Sequence, residues 1–174
     1  MKLYSLDERC VPAIKRVREY YLSVPEWRKD VEEGKMFGVL IYEDSVSSGE
    51  EPLPFLAAFS GTLGGKTCQP GFVPPVFDIQ GEGRYFLEEE AEISAINRYL
   101  DSGQATPREV CDLKHERKER SRALQRWLFA RYSVSNISGE KSSLLDIFAP
   151  AVPPGGAGDC CAPKLLQEAF RRGI

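Results

Sequence analysis

Two apolar runs constrain this chain more than any other feature. Met36-Phe37-Gly38-Val39-Leu40-Ile41-Tyr42 and Pro54-Phe55-Leu56-Ala57-Ala58-Phe59 are too short and too continuously apolar to be the buried stripe of a surface helix. Each reads as a strand. Between them, Glu43 to Pro52 is rich in Ser, Gly and Glu, so the two pair most simply as an antiparallel hairpin with a long tip. Phe37, Val39, Ile41 and Phe55 to Phe59 must then alternate or be covered on both faces. The rest of the chain supplies the cover, and the expected fold class is α+β: a small antiparallel sheet at 36–42 and 54–59 packed with several helices.

Helical periodicity places that cover. Val11, Ile14, Val17 and Tyr21 recur on one face, with Lys15, Arg16, Arg18 and Glu19 on the other, which predicts a helix near 8–23. Pro25 opens a short helix through Trp27 and Val31 that Gly34 ends. From Gly61 to Gly83, glycines and prolines break any period while Phe72, Val73, Val76 and Phe77 still favour burial, so an ordered extended crossing is expected. Glu88, Glu89, Glu90 and Glu92 precede Ile93, Ile96 and Leu100, which predicts a helix at 88–101 whose acidic first turn suits the helix dipole. Thr106-Pro107-Arg108-Glu109 is a capping box with proline at the first helical position, so a helix runs over 107–132. Its ends are apolar, but Lys114 to Arg122 is charged all round and is expected to stand in water or against a charged partner. A turn at Ser138-Gly139 and a short apolar element, Leu144 to Phe148, follow. A last helix at 162–172 carries Leu165, Leu166, Ala169 and Phe170 on one face.

A chain of 174 residues is by default one domain, 1–174, and two lobes at 1–103 and 104–174 are compatible with it. It can bury roughly 70% of its unfolded surface and needs no disulfide to do so. The five cysteines form an odd set without Cys-x-x-Cys spacing, and adjacent Cys160 and Cys161 are poorly placed to bond each other. Cys10, Cys68 and Cys111 read as small buried groups. No apolar run follows Met1 and none is long enough to span a bilayer, so neither a secretory signal nor a membrane segment is expected, and a reducing cytoplasm fits the thiols.

Two stretches carry candidate chemistry. In the first, glycines and Asp159 lead into the last helix, and Gly156, Gly158, Asp159, Cys161 and Lys164 form the candidate set. A glycine-rich turn feeding a helix N-terminus can offer N–H groups to phosphate or lower a thiol pKa. The plainer reading is an amphipathic helix capped by Asp159 with two buried cysteines. In the second stretch, Lys114 to Arg126 holds six cations against two carboxylates in a chain of net charge −3. Arg117, Lys118, Arg120, Arg122 and Arg126 are the candidate phosphate contacts there. The plainer reading is a solvated helix laced with i,i+4 ion pairs. Successive offsets spread Arg117, Lys118, Arg120 and Arg122 around the cylinder.

Other chemistries are not indicated. His115 is the single histidine, which removes most catalytic triads and multi-histidine metal sites. Neither a Walker-type loop nor Gly-x-Gly-x-x-Gly after a strand is present. The glutamates at 88–92 read as a solvated face. Cys161 is the one metal candidate, and without a second closely spaced pair no metal and no cofactor are expected.

Several segments together resemble a known family. Gly34-Lys35-Met36-Phe37-Gly38-Val39-Leu40, Phe55-Leu56-Ala57-Ala58-Phe59-Ser60-Gly61, Phe72-Val73-Pro74-Pro75-Val76-Phe77-Asp78 and Ile93-Ser94-Ala95-Ile96-Asn97 are similar to the N-terminal extension of a bacterial subgroup of RluA-family pseudouridine synthases. So are the stretch from Glu116 to Phe129 and that from Gly156 to Gln167. The long charged insertion that those proteins carry is here a short linker through Asp101 and Thr106, and the His-Arg-Leu-Asp motif of their catalytic domain does not occur. The resemblance implies a non-catalytic accessory module that associates with ribosomal or transfer RNA and with a synthase catalytic domain. It also implies that a thiol at the position of Cys161 can join a later cysteine pair in a metal site. Two other readings stay open: a protein-docking domain without RNA, and a small zinc-dependent enzyme or one with Cys160 or Cys161 as nucleophile. The oligomeric state is not legible.

Overall fold

The computed structural model describes residues 7–43 and 53–174. The fold is α+β. Helices α1 (Val11–Ser23) and α2 (Arg28–Glu32) precede strands β1 (Phe37–Ile41) and β2 (Phe55–Phe59); α3 (Ile79–Glu82), α4 (Arg84–Asp101) and α5 (Pro107–Arg131) follow, then β3 (Ser133–Ser135), β4 (Lys141–Ser143), α6 (Leu144–Phe148) and α7 (Cys161–Arg172). The chain divides into two compact units, one of Met1–Val76, Val134–Lys141 and Gly155–Ile174, the other of Phe77–Ser133 and Ser142–Pro154.

The first unit is built on the hairpin. β1 and β2 pair antiparallel with Phe37 opposite Phe59 and Ile41 opposite Phe55. The expected tip lies, apart from Glu43, outside the described residues. Alternation puts Gly38, Leu40, Leu56 and Ala58 on one face and Phe37, Val39, Ala57 and Phe59 on the other. The first face receives α7, whose Leu165 and Ala169 join Leu56, Ala58 and Val73 in one core cluster. The second joins Phe59 to Trp27 and Leu63, with Tyr21, Phe37 and Phe72 packed around them. Tyr21 of α1 stacks on Phe37 with ring centroids 4.1 Å apart, and the Arg16 guanidinium of α1 sits 5.5 Å over Phe55. β2 is therefore covered on both sides, which is why its run has no polar alternation. Beside it the crossing segment contributes one bond, Val73 N–H to the Ala57 carbonyl at 2.8 Å. At Gly38 the helix comes close to the sheet: a Cβ there would lie 2.8 Å from Cys161 Cβ.

The second unit is dominated by α4 packed along α5. Thr106 and Glu109 form both arms of the capping box, with Thr106 N–H to Glu109 Oε2 at 2.8 Å. Phe77, Leu124, Phe129, Tyr132 and Leu144 are buried. Phe77 meets the rings of Trp127 and Tyr132 edge-on, each at 6.0 Å. A second capping box, Ser143 with Asp146, starts α6.

Local expectations needed correction in four places, the first being that the crossing expected to stay extended as far as Gly83 ends in the helix α3. α4 begins at Arg84, four residues before the glutamate run, because Asp78 caps α3 and the chain continues through Gly83 directly into the next helix. Its first turn holds no acidic residue, and Glu88 to Glu92 lie beyond the reach of the dipole. β3 and β4 pair in a second two-stranded sheet where only a turn was expected. Three-residue strands of Ser, Val and Lys carry too little alternation to be read. The cysteines are not buried: Cys68, Cys111 and Cys160 are exposed and Cys10 and Cys161 half-buried. Among the described residues, no helix is long and apolar enough to cross a membrane.

Candidate functional site

The start of α7 is a joint between helix and hairpin. Cys160, not Asp159, occupies the cap position, and its side chain makes no capping bond. Asp159 is taken up by the preceding loop: its N–H bonds the Gly156 carbonyl at 3.1 Å, and its carbonyl accepts from Gly61 N–H at 3.2 Å, just past the end of β2. Gly156 and Gly158 have φ of +75° and +92°, angles that a side chain disfavours. The glycines thus let the loop fold back onto the sheet. Pro163 falls in the first helical turn, where its missing N–H costs nothing.

Cys161 and Lys164 are bound to main-chain carbonyls. The Cys161 thiol lies 3.5 Å from the Met36 carbonyl, just before β1, and 3.6 Å from that of Ala58 on β2. Burial pushes its pKa up, with the nearby Lys164 charge partly opposing the rise. It is therefore a protonated donor, the reverse of the activated thiolate that a helix N-terminus can create. Lys164 is 2% exposed. Its ammonium donates to the Phe59 carbonyl at 3.0 Å and the Gly61 carbonyl at 3.2 Å and lies 5.0 Å over the Phe59 ring. Burial pushes its pKa down, Lys35 adds to that, and Asp159 opposes it. Among the described residues no group of three or more His, Cys, Asp or Glu side chains could hold a metal ion.

Two further polar groups of α7 belong to the same system. The Gln167 amide accepts from Ser135 N–H at 2.7 Å and donates to its carbonyl at 2.9 Å, filling both positions that a neighbouring strand would fill. Glu168 is 4% exposed and receives Arg171 and Arg172, each at 2.6 Å. The hydrogen bond from Arg171, opposed by desolvation and reinforced by Arg172, holds its pKa at about 2. A face drawn from apolar residues alone misses both. It also misplaces Leu166, which is 46% exposed, whereas polar Lys164 and Glu168 face inward with Leu165 and Ala169.

On α5 the candidate cations separate into two groups. Arg117 donates to Asn97 Oδ1 at 2.9 Å, and Arg120 bridges Glu89 at 3.0 Å and Glu116 at 2.9 Å. Both are half-buried and face α4, so the charged middle of α5 is not an isolated solvated rod. Lys114, Lys118, Arg122 and Arg126 are exposed. Arg122 pairs with Glu119 at 2.8 Å, and among the described residues the other three have no ion pair. These four stand four residues apart, so each is turned only about 40° from the last. The scatter read from Arg117, Lys118, Arg120 and Arg122 resolves into an outward band once Lys114 is included and the two inward arginines are removed. Beside the band, a groove of about 760 Å³ is lined by Lys114, Arg117, Lys118 and Arg122, by apolar Phe86, Ile93, Leu124 and Leu128, and by the carboxylate of Glu90.

No family model, curated protein or solved structure matches the chain.

Proposed function

We propose that this protein is a non-catalytic, RNA-associated accessory module that serves a pseudouridine synthase catalytic domain by holding RNA phosphates along the outer band of α5. The observation that carries this reading is the regular array of Lys114, Lys118, Arg122 and Arg126, exposed on one side of a helix whose Arg117 and Arg120 are engaged by α4. Exposed cations in a band suit a polyanion, because each phosphate contact releases condensed counterions and adds affinity without reading sequence. The ordered resemblance to synthase N-terminal segments supports RNA as that polyanion. The protein supplies no chemistry of its own in this reading; it raises the local concentration of substrate for a partner domain.

The test is RNA binding measured across a salt series. Unrelated RNA sequences are expected to bind weakly and similarly, with affinity falling steeply as salt rises. Changing Lys114, Lys118, Arg122 and Arg126 together to Gln should weaken all of them and flatten the salt slope by about 3, the value for four lost contacts to a single strand. Unchanged affinity and slope at low salt would remove α5 as the contact. The apolar floor of the adjacent groove favours one other occupant, an acidic amphipathic segment of a partner protein. That reading predicts a complex that excess RNA does not displace.

A further inference from the structure

A cavity of about 440 Å³ opens between α1 and β1, within the roughly 300–1,000 Å³ range of small-molecule sites. One wall is a single face of α1, with Ile14, Val17, Arg18 and Tyr21 at helical spacing. The other wall includes Lys35 and Phe37 at the start of the strand. The Tyr21 and Phe37 rings already stack at 4.1 Å and 11° between planes, so a flat apolar surface exists before any ligand arrives. A preformed wall lowers the ordering cost of binding.

The charges in the cavity are of one sign. Arg18 and Lys35 line it, and among the described residues no carboxylate does. Neither cation has a side-chain hydrogen bond or ion pair among those residues. Elsewhere in the unit Arg9 is matched by Asp7 and Glu43, Arg171 and Arg172 by Glu168, and Lys164 by two carbonyls, while the exposed Lys15, Lys66 and Lys141 likewise have no ion pair among the described residues. Lys35 is half-buried at the edge of the cavity. A mainly apolar recess with two unmatched cations at its edge is complementary to an anion whose body is apolar.

We propose that this cavity binds a small amphiphilic carboxylate, its head between Arg18 and Lys35 and its hydrocarbon body between Ile14 and the Tyr21–Phe37 stack. The site shares no residue with the α5 band, so the two assignments stand or fall separately.

The probe is decanoate, used below its micelle concentration and compared with decanol, which has the same chain without the charge, and with acetate, which has the head without the body. Titration calorimetry on the whole chain should show saturable one-to-one binding of decanoate, about a hundredfold tighter than decanol if each cation contributes one charge-assisted hydrogen bond. Acetate should not bind measurably. The double change Arg18→Gln and Lys35→Gln should bring decanoate down to the level of decanol while leaving the melting temperature of the free protein in place. Ile14→Trp, which fills the cavity from its exposed rim, should abolish binding of both. Absence of saturable decanoate binding, equal binding of decanol, or undiminished decanoate binding by the folded double-Gln variant would each overturn the assignment. Replacing the four band cations of α5 with Gln should leave decanoate binding unchanged.

Discussion

Lys164 of α7 and Lys118 of α5 are the same residue on two amphipathic helices, yet one is 2% exposed on two carbonyls and the other stands in solvent without a partner among the described residues. The difference lies in what each helix packs on. α7 meets the sheet at Gly38 and Ala58, small enough to let the helix axis come close, so side chains from its first turns reach the strand ends. α5 runs along α4, and the cations on its far side find no acceptor there. A charged side chain therefore reads as structure or as surface according to which backbone groups lie within its length. The most distinctive sequence in the chain, from Gly156 to Lys164, is a joint, whereas the plainer run of charges presents the open face.

This contrast can be broken most directly by removing the two lysines in turn. Lys164→Met leaves the Phe59 and Gly61 carbonyls without their donor and should cost about 2–4 kcal/mol in a denaturant melt. Lys118→Met should leave the midpoint where it was, and equal shifts would show that the two positions do not differ as described. Gly38→Ala sharpens the cause: the added methyl pushes α7 off the sheet at a cost of about 1–3 kcal/mol. Iodoacetamide should then label Cys161 faster, as its thiol loses the two carbonyls.

A smaller effect is expected in acid. The folded Glu168 carboxyl has a pKa of about 2 against 4.5 for an ordinary glutamate, so its stabilisation is complete above the unfolded value and disappears as pH falls from 4.5 towards 2. Because Arg171 and Arg172 are largely solvated, we expect about 1–2 kcal/mol rather than the full linkage value. Urea melts between pH 6 and 2.5 should show this loss, and Glu168→Gln should remove its share of the acid limb. Smallest is Thr106→Ala, which removes the cap of α5 for about 1 kcal/mol. A loss of several kcal/mol there would mean that α5 depends on its first turn as α7 depends on its clamp.

Those features are legible in sequence whose cause is local. The hairpin is visible because apolar runs of that length admit few alternatives, and the start of α5 because Thr106 and Glu109 are three residues apart and satisfy each other. Gln167 and Glu168 are opaque by comparison. The partner of Gln167 is the main chain of Ser135, which has no side-chain signature, and a polar residue facing inward contradicts the pattern used to find the face. The band on α5 is partly visible as charge. Arg117 and Lys118 are neighbours in sequence, and only the position of Asn97 on α4 decides which one faces inward.

The bond from Lys164 to Phe59 also bears on self-association. Ser60 N–H to the Met36 carbonyl and Tyr42 N–H to the Pro54 carbonyl show that the even positions of β1 exchange bonds across the hairpin, so Ala57 and Phe59 of β2 direct their carbonyls outward, where a third strand would dock. Val73 N–H occupies the first of these acceptors and the Lys164 ammonium the second. A side chain and a single turn of loop thereby seal an edge that would otherwise template pairing with another molecule. Loss of Lys164 would open that seam as well as loosen the fold, and the variant should form oligomers at protein concentrations at which the parent chain does not.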